Sequence, residues 1–386
     1  MAAATQIEVN RPAYQRRFTP EFELVLACCD HARQYDLTSM LTPDLDWERV
    51  LDSAEHHRLI PAMHGALSGK NGVPSTLRAR AHKHAWRVLH FTAELQKIAR
   101  CFEQRGIEFL AHKGPALAQV LYGDPAMRQF GDLDVIVKSR DFRRAKDVLI
   151  ESGYDSNLRL SPRHEQALLR SGYECSFGLN SARNLVELQW QIVPRFYSIN
   201  FDIDALFSRS MQVNLDDVAL RTLGREDLLM VLCVHAAKHE WVQLGMLRDI
   251  AALMNFDLDW NWIVAEARRL GIIKILQVSL LAANKLFNVS CRKELPSANE
   301  GTAELASAVV SRLQHNYEPD TESIRYFRAQ LQTRERWLDR ARFVWRLATT
   351  PSVQEWESIQ IPDRCFAAYR GVRIARLMKR FLASVA

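Results

Sequence analysis

The segment Phe109-Leu-Ala-His-Lys-Gly-Pro-Ala-Leu-Ala118, continued by Tyr122-Gly-Asp-Pro-Ala-Met-Arg-Gln-Phe-Gly-Asp-Leu-Asp-Val-Ile-Val137, sets two carboxylates, Asp132 and Asp134, at the mouth of an apolar β-branched run. Successive strand side chains point to opposite faces, so both carboxylates fall on one face and Leu133 on the other. Two acids this close on one rigid strand repel each other unless a cation lies with them. Hard oxygen ligands of this kind suit Mg²⁺, which keeps several waters and bridges carboxylates to substrate phosphates. Upstream, Lys113-Gly114 closes another apolar strand and opens a short helix. A glycine there lets backbone N–H groups approach a phosphate, and the helix N-terminus favours the negative charge. Metal-binding carboxylates facing a phosphate-binding turn is the layout of a phosphoryl-transfer site.

Asp-x-Asp alone also occurs at solvated strand ends and helix caps, so the next element matters. In Asn184-Leu-Val-Glu-Leu-Gln-Trp-Gln191, Val186, Leu188 and Trp190 share one face and Glu187, Gln189 and Gln191 the other. That alternation predicts a half-buried strand whose polar face carries a single acid, Glu187. If this strand lies near the Asp132 strand, Glu187 becomes a third carboxylate of the same cluster.

These residues resemble a known family. Lys-Gly-x-Ala-Leu, then Tyr-Gly-Asp-Pro-x-x-Arg, then Gly-Asp-x-Asp with three apolar residues is similar to the uncharacterised bacterial nucleotidyltransferases of the polymerase-β-like superfamily. The similarity runs from about Phe109 to Trp260, through Val-Glu-Leu-x-Trp and His235-Ala-Ala-Lys-His-Glu-Trp241. The resemblance implies an α+β fold: a small mixed-sheet core flanked by N-terminal and C-terminal helical subdomains. It implies Mg²⁺-dependent (or Mn²⁺-dependent) transfer of a nucleoside monophosphate from an NTP such as ATP to an acceptor, with release of pyrophosphate. Two metal ions fall to Asp132, Asp134 and Glu187, with Glu187 taking the acceptor proton. The nucleotide phosphates fall to Gly114 and Lys113, with Arg128 adding a charge-assisted fork. The acceptor is unread: small molecule, peptide and protein stay open. Two departures stand out. The usual Gly-Ser or Gly-Gly turn is Lys113-Gly114, as in this subgroup, and Gln189 stands where Glu-Leu-His-Trp is expected.

Composition excludes several other classes. With 386 residues and 48% hydrophobic content, the chain builds real cores and lies outside the disordered class. No apolar run approaches a membrane span, and Met1–Pro20 has no apolar core, so neither an anchor nor a secretory leader is expected. The seven cysteines form no Cys-x-x-Cys, which argues against disulfide frameworks and cysteine zinc sites. A cytoplasmic enzyme fits best.

Three parts are expected: helical residues 1–105, a catalytic core 106–215 and helical residues 216–386. The predicted core elements are strands 107–112, 133–138, 173–178 and 184–191, with helices 115–121 and 140–151, the last ended at Gly153. Predicted flanking helices include 21–35, 46–67, 75–104, 225–241 and 323–348. His235 and His239 share a helix face, but without His-Glu-x-x-His a zinc site is disfavoured against a helix beside the cleft. Arg248-Asp249 reads as an ion pair positioning that region, and Trp260-Asn-Trp262 as core.

The net charge of +6 clusters late, in Arg334, Arg336, Arg340, Arg342 and Arg346, then Arg370, Arg373, Arg376, Lys379 and Arg380. A solvated helical face is the favoured reading of these stripes; a nucleic-acid partner is the lesser one. A helical scaffold that keeps the fold without catalysis is the remaining alternative.

Overall fold

The computed structural model describes residues 18–29, 35–156, 158, 160–179, 182–321 and 323–385. Its centre is a five-stranded sheet in the order β1-β2-β5-β4-β3. The strands are β1 (Phe109–Ala111), β2 (Leu133–Val137), β3 (Asp155–Ser156), β4 (Glu174–Leu179) and β5 (Ala182–Gln189). β2 and β5 run parallel, and the other pairings are antiparallel. Every residue of β2 is buried, as befits an apolar run covered on both faces.

Val135, Val186 and Leu188 pack with Phe102, Phe142 and Leu149 beneath the helices Ser75–Gln104 and Phe142–Glu151. Trp190 meets the Phe142 ring edge-on at 4.6 Å. Burying each such side chain contributes about 1.5–3 kcal/mol, and this layer holds the sheet flat against its helices. The helix Phe142–Glu151 stops at Gly153, whose φ of 91° and hydrogen bond to Ile150 close the last turn. A second apolar cluster joins Phe22, Leu51 and Met63 to Leu229, Leu247 and Leu276, so N-terminal and C-terminal helices share one core over the other sheet face. The fold is α+β with a mixed sheet, as expected.

Several boundaries differ from the sequence reading. The predicted helix 46–67 is two, Trp47–His56 and Ile60–Leu67, because Arg58 takes a left-handed φ of 61° between them. The helix expected to reach 241 ends at Lys238, where Glu240 and Trp241 both take positive φ. The stretch 323–348 breaks at Thr333–Arg336 into Ile324–Gln332 and Trp337–Thr349. An unforeseen hairpin, β6 (Met211–Leu215) and β7 (Val218–Thr222), turns through Asp216 at φ 53° and packs against β1. Its alternating Met211, Val213 and Leu215 were a readable strand signal. The helix expected over 21–35 is described as Pro20–Ala27, and residues 30–34 of that stretch lie outside the described residues, as does most of Met1–Pro20.

The late basic run also splits. Arg334 is 1% exposed and lies over the Tyr197 and Phe343 rings at 5.7 and 5.6 Å, so it belongs to the core rather than to a solvated face. Arg373 and Arg376 pair with the fully buried Glu355 at 3.2 and 2.6 Å. Trp260 is buried, as read. Of the cysteines, Cys291 and Cys365 are exposed, while Cys28, Cys29, Cys175 and Cys233 pack as small apolar groups.

Candidate active site

The register of β2 against β5 sets Asp134 directly across from Glu187. Asp132 precedes the strand by one residue and lines the same cleft, of about 340 Å³, with Lys113, Arg128 and Glu187. The turn before the helix Gly114–Tyr122 packs onto this strand. Gly114 has φ 57°, and a Cβ there would stand 3.3 Å from the Asp132 carbonyl. Only glycine takes that backbone without strain, and no side chain caps the helix start at Lys113. The unpaired N–H groups of this helix start are the kind that bind phosphate.

Charge in the cleft is arranged around Asp134, which is 2% exposed. Lys113 Nζ donates to its Oδ1 at 2.7 Å, and Gln189 Nε2 to the same oxygen at 2.9 Å. Burial alone would raise the Asp134 pKa, but Lys113, His112 and Arg128 together outweigh it and hold the group at about 2. Burial likewise disfavours the Lys113 charge, yet Asp134 and Asp132 keep its pKa above the ordinary lysine value. Asp132 is raised, by burial and then by the Asp134 charge. Glu187 is pushed up to about 9 by burial, then by Asp134 and Glu174.

Gln189 replaces the expected histidine and does more than fill space. Its single amide nitrogen also lies 3.3 Å from Glu187 Oε2 and 3.3 Å from Glu174 Oε2, tying three carboxylates together. Glu174 is the acid that sequence reading missed. It heads β4 and pairs with Gln189 in register, a relationship that only the sheet reveals.

The opposite wall comes from the C-terminal helices. His235, Lys238 and His239 line the cleft. Lys238 donates to the Tyr173 hydroxyl at 2.7 Å, and burial lowers its pKa, against the pull of Glu174. Burial also keeps both histidines neutral, His239 at about 3 and His235 well below its usual value. Arg58 enters the cleft from its left-handed turn. Arg128 directs Nε to Asp249 at 2.7 Å, and Tyr122 donates to the other oxygen of Asp249 at 2.7 Å. Asp249 is therefore the partner of Arg128, whereas Arg248 donates to the Met127 carbonyl at 3.0 Å; neighbours on a helix point too far apart for the expected i,i+1 pairing to govern.

A divalent cation can be tested against this donor set. Asp134 Oδ2 is buried without a hydrogen-bond partner, and the surrounding donors are hard carboxylate oxygens, which fit Mg²⁺ or Mn²⁺. Among the described residues no three His, Cys, Asp or Glu side chains are already drawn into a metal cage. Instead the Lys113 ammonium and the Gln189 amide hold the acids.

Residues 43–288 match a family described as an uncharacterised nucleotidyltransferase. The chain belongs to this family. The matched span contains the whole cleft, from Arg58 to Asp249. No curated protein matches the sequence. Among solved structures, it is similar to an antigenic nucleotidyltransferase-like protein from Paracoccidioides brasiliensis, at 13% identity and a TM-score of 0.34 over 52% of this chain and 94% of that one. Among the described residues no helix is long and apolar enough to cross a membrane.

Proposed function

We propose that this nucleotidyltransferase moves a nucleoside monophosphate from an NTP to an acceptor, with a divalent metal held by Asp132, Asp134 and Glu187. The observation that carries the reading is the Asp134–Glu187 register pair, with Asp132 one residue ahead of that strand, where the Gly114 turn packs. The metal, when bound, would supply charge neutralisation along the triphosphate. The chain's own groups do the rest. The Gly114 helix start receives the phosphates, Lys113 adds a cation to them, and the Nη groups of Arg128 extend the same positive wall. An acceptor oxygen attacks the α-phosphorus, the bond from that phosphorus to the bridging oxygen breaks, and pyrophosphate leaves. The acceptor proton passes to Glu187: burial and the neighbouring acids favour its protonated form in the metal-free cleft, and a cation held beside it would favour the ionised form that can accept a proton. Positioning and charge dominate, because phosphoryl transfer asks for little covalent chemistry from the protein.

The test is pyrophosphate release from each of the four NTPs with Mg²⁺ or Mn²⁺, with and without lysate acceptors. Release that requires the metal and disappears in Asp132→Asn supports the reading. Equal release from wild type and Asp132→Asn would overturn it.

A further inference from the structure

Beside the cleft lies a second groove of about 790 Å³, floored by the helix Pro162–Ser171 and the short turn Arg195–Tyr197. Its charge is one-sided. Arg143, Arg163, Arg170, Arg195 and Arg370 line it, and no Asp, Glu or Lys does so among the described residues. Glu165 takes Arg143 at 2.6 Å, and Arg163 stacks over the Phe366 ring at 5.5 Å. Arg170, Arg195 and Arg370 have no carboxylate partner among the described residues. Arg346 joins the cluster from below, donating to the Arg195 carbonyl at 3.3 Å. Its pKa is lowered by burial and then by the charges of Arg195 and Arg342.

Groove and cleft are neighbours along the chain. Ser171 lines the groove and Tyr173 the cleft; Arg195 lines the groove and Ile192 the cleft. Two and three residues of extended chain span at most about 7 and 11 Å, which keeps those lining residues close together. All the groove's cations are arginines, whose planar forks bind phosphate oxygens in pairs. The volume is that of a small-molecule site rather than of a polymer track.

We propose that this groove binds the phosphate group of a small phosphorylated molecule. The phosphate binding stands independently of the nucleotidyl-transfer reading above. Inorganic pyrophosphate and ribose 5-phosphate, titrated calorimetrically into the full chain with EDTA present, test it. One site is expected, weakened at least tenfold in Arg170→Gln/Arg195→Gln, intermediate in Arg170→Lys/Arg195→Lys, and retained in Asp132→Asn. Affinity unchanged in the glutamine variant, loss of binding in Asp132→Asn, or binding of a ten-residue oligoribonucleotide but of neither small probe would overturn it. The exposed arginines make misfolding of the variants readable: circular dichroism matching wild type accompanies a supporting result. Mg²⁺–NTP affinity of the glutamine variant is expected within twofold of wild type. Loss of pyrophosphate binding there, in a chain that turns over no NTP, would keep the groove and discard the catalytic reading.

Discussion

Asp134 and Glu187 oppose each other across the parallel β2–β5 pair, and one amide, that of Gln189, donates to both. Two carboxylates in so dry a place persist because Lys113 neutralises one and a proton neutralises the other.

Asp134→Asn removes the partner of a nearly buried ammonium, whose side chain is 12% exposed. Stability should fall by about 1–3 kcal/mol, the cost of leaving a buried donor poorly matched. Mg²⁺–NTP affinity should fall with it, and Asp132→Asn should lose the same affinity with a smaller stability change. Urea unfolding and calorimetry check both; wild-type nucleotide affinity in the two variants would sink the metal assignment.

Glu187→Gln keeps shape and hydrogen bonding but removes the proton acceptor. Nucleotide binding should survive while turnover drops by about 10²–10⁴, the usual worth of a positioned base. A change in KM alone, with kcat intact, would assign Glu187 to binding instead.

Gly114→Ala introduces a Cβ 3.3 Å from the Asp132 carbonyl at a left-handed φ. The expected cost is about 1–2 kcal/mol for the backbone, with weaker triphosphate binding because the turn and the acidic strand shift together. Thermal denaturation unchanged from wild type would show that the turn relaxes freely.

Gln189→Leu leaves three carboxylates without their shared donor. Destabilisation of about 1–3 kcal/mol is expected, while Gln189→His, which restores a ring N–H, should recover most of it. If both variants match wild type in urea, the amide is not what ties the acids.

His57 supplies a pH test outside the cleft. Leu244 N donates to its Nδ1 at 3.2 Å, and its Nε2 faces the Leu313 carbonyl at 2.9 Å, which assigns a neutral ring protonated at Nε2. Burial, then the neighbouring His56, lowers its pKa from 6.5 to about 3. The unfolded chain therefore binds the extra proton first. The stability contribution is complete above pH 6.5 and is lost as pH falls toward 3, at about 1.4 kcal/mol per pH unit. His57→Asn should be less stable at pH 7 but show a slope shallower by one proton between pH 6.5 and 4.5. Parallel slopes would refute the neutral bridge.

Particular residues show what was readable in advance. β2 announced itself as Val135-Ile-Val137 after an acid pair, β5 by alternation, and the helix Ser75–Gln104 by its bounds, because each signal is local. The candidate acids were legible one by one. Their grouping was not, since Glu174 meets Gln189 only through sheet register. Arg128 finds Asp249 across 121 positions, and nothing in either neighbourhood marks the other. Arg58 was hidden inside an apparently continuous helix, because a left-handed residue other than glycine leaves no compositional trace. Arg334 looked like surface charge and is core, stacked on Phe343 nearby and on Tyr197, which lies far off in sequence.

The parallel pairing of β2 with β5 bears on how the molecule is made. Gln189 reaches Asp134 across 55 positions, with a crossover of helices and strands between them. Closing so long a loop comes before any reward from the contacts it permits, which makes such pairings slow steps in folding. The acids consequently come face to face late, after the helices on both sides have something to pack against. A cation cannot gather this site from an unfolded chain in the way zinc gathers a finger; it meets carboxylates that are already in place.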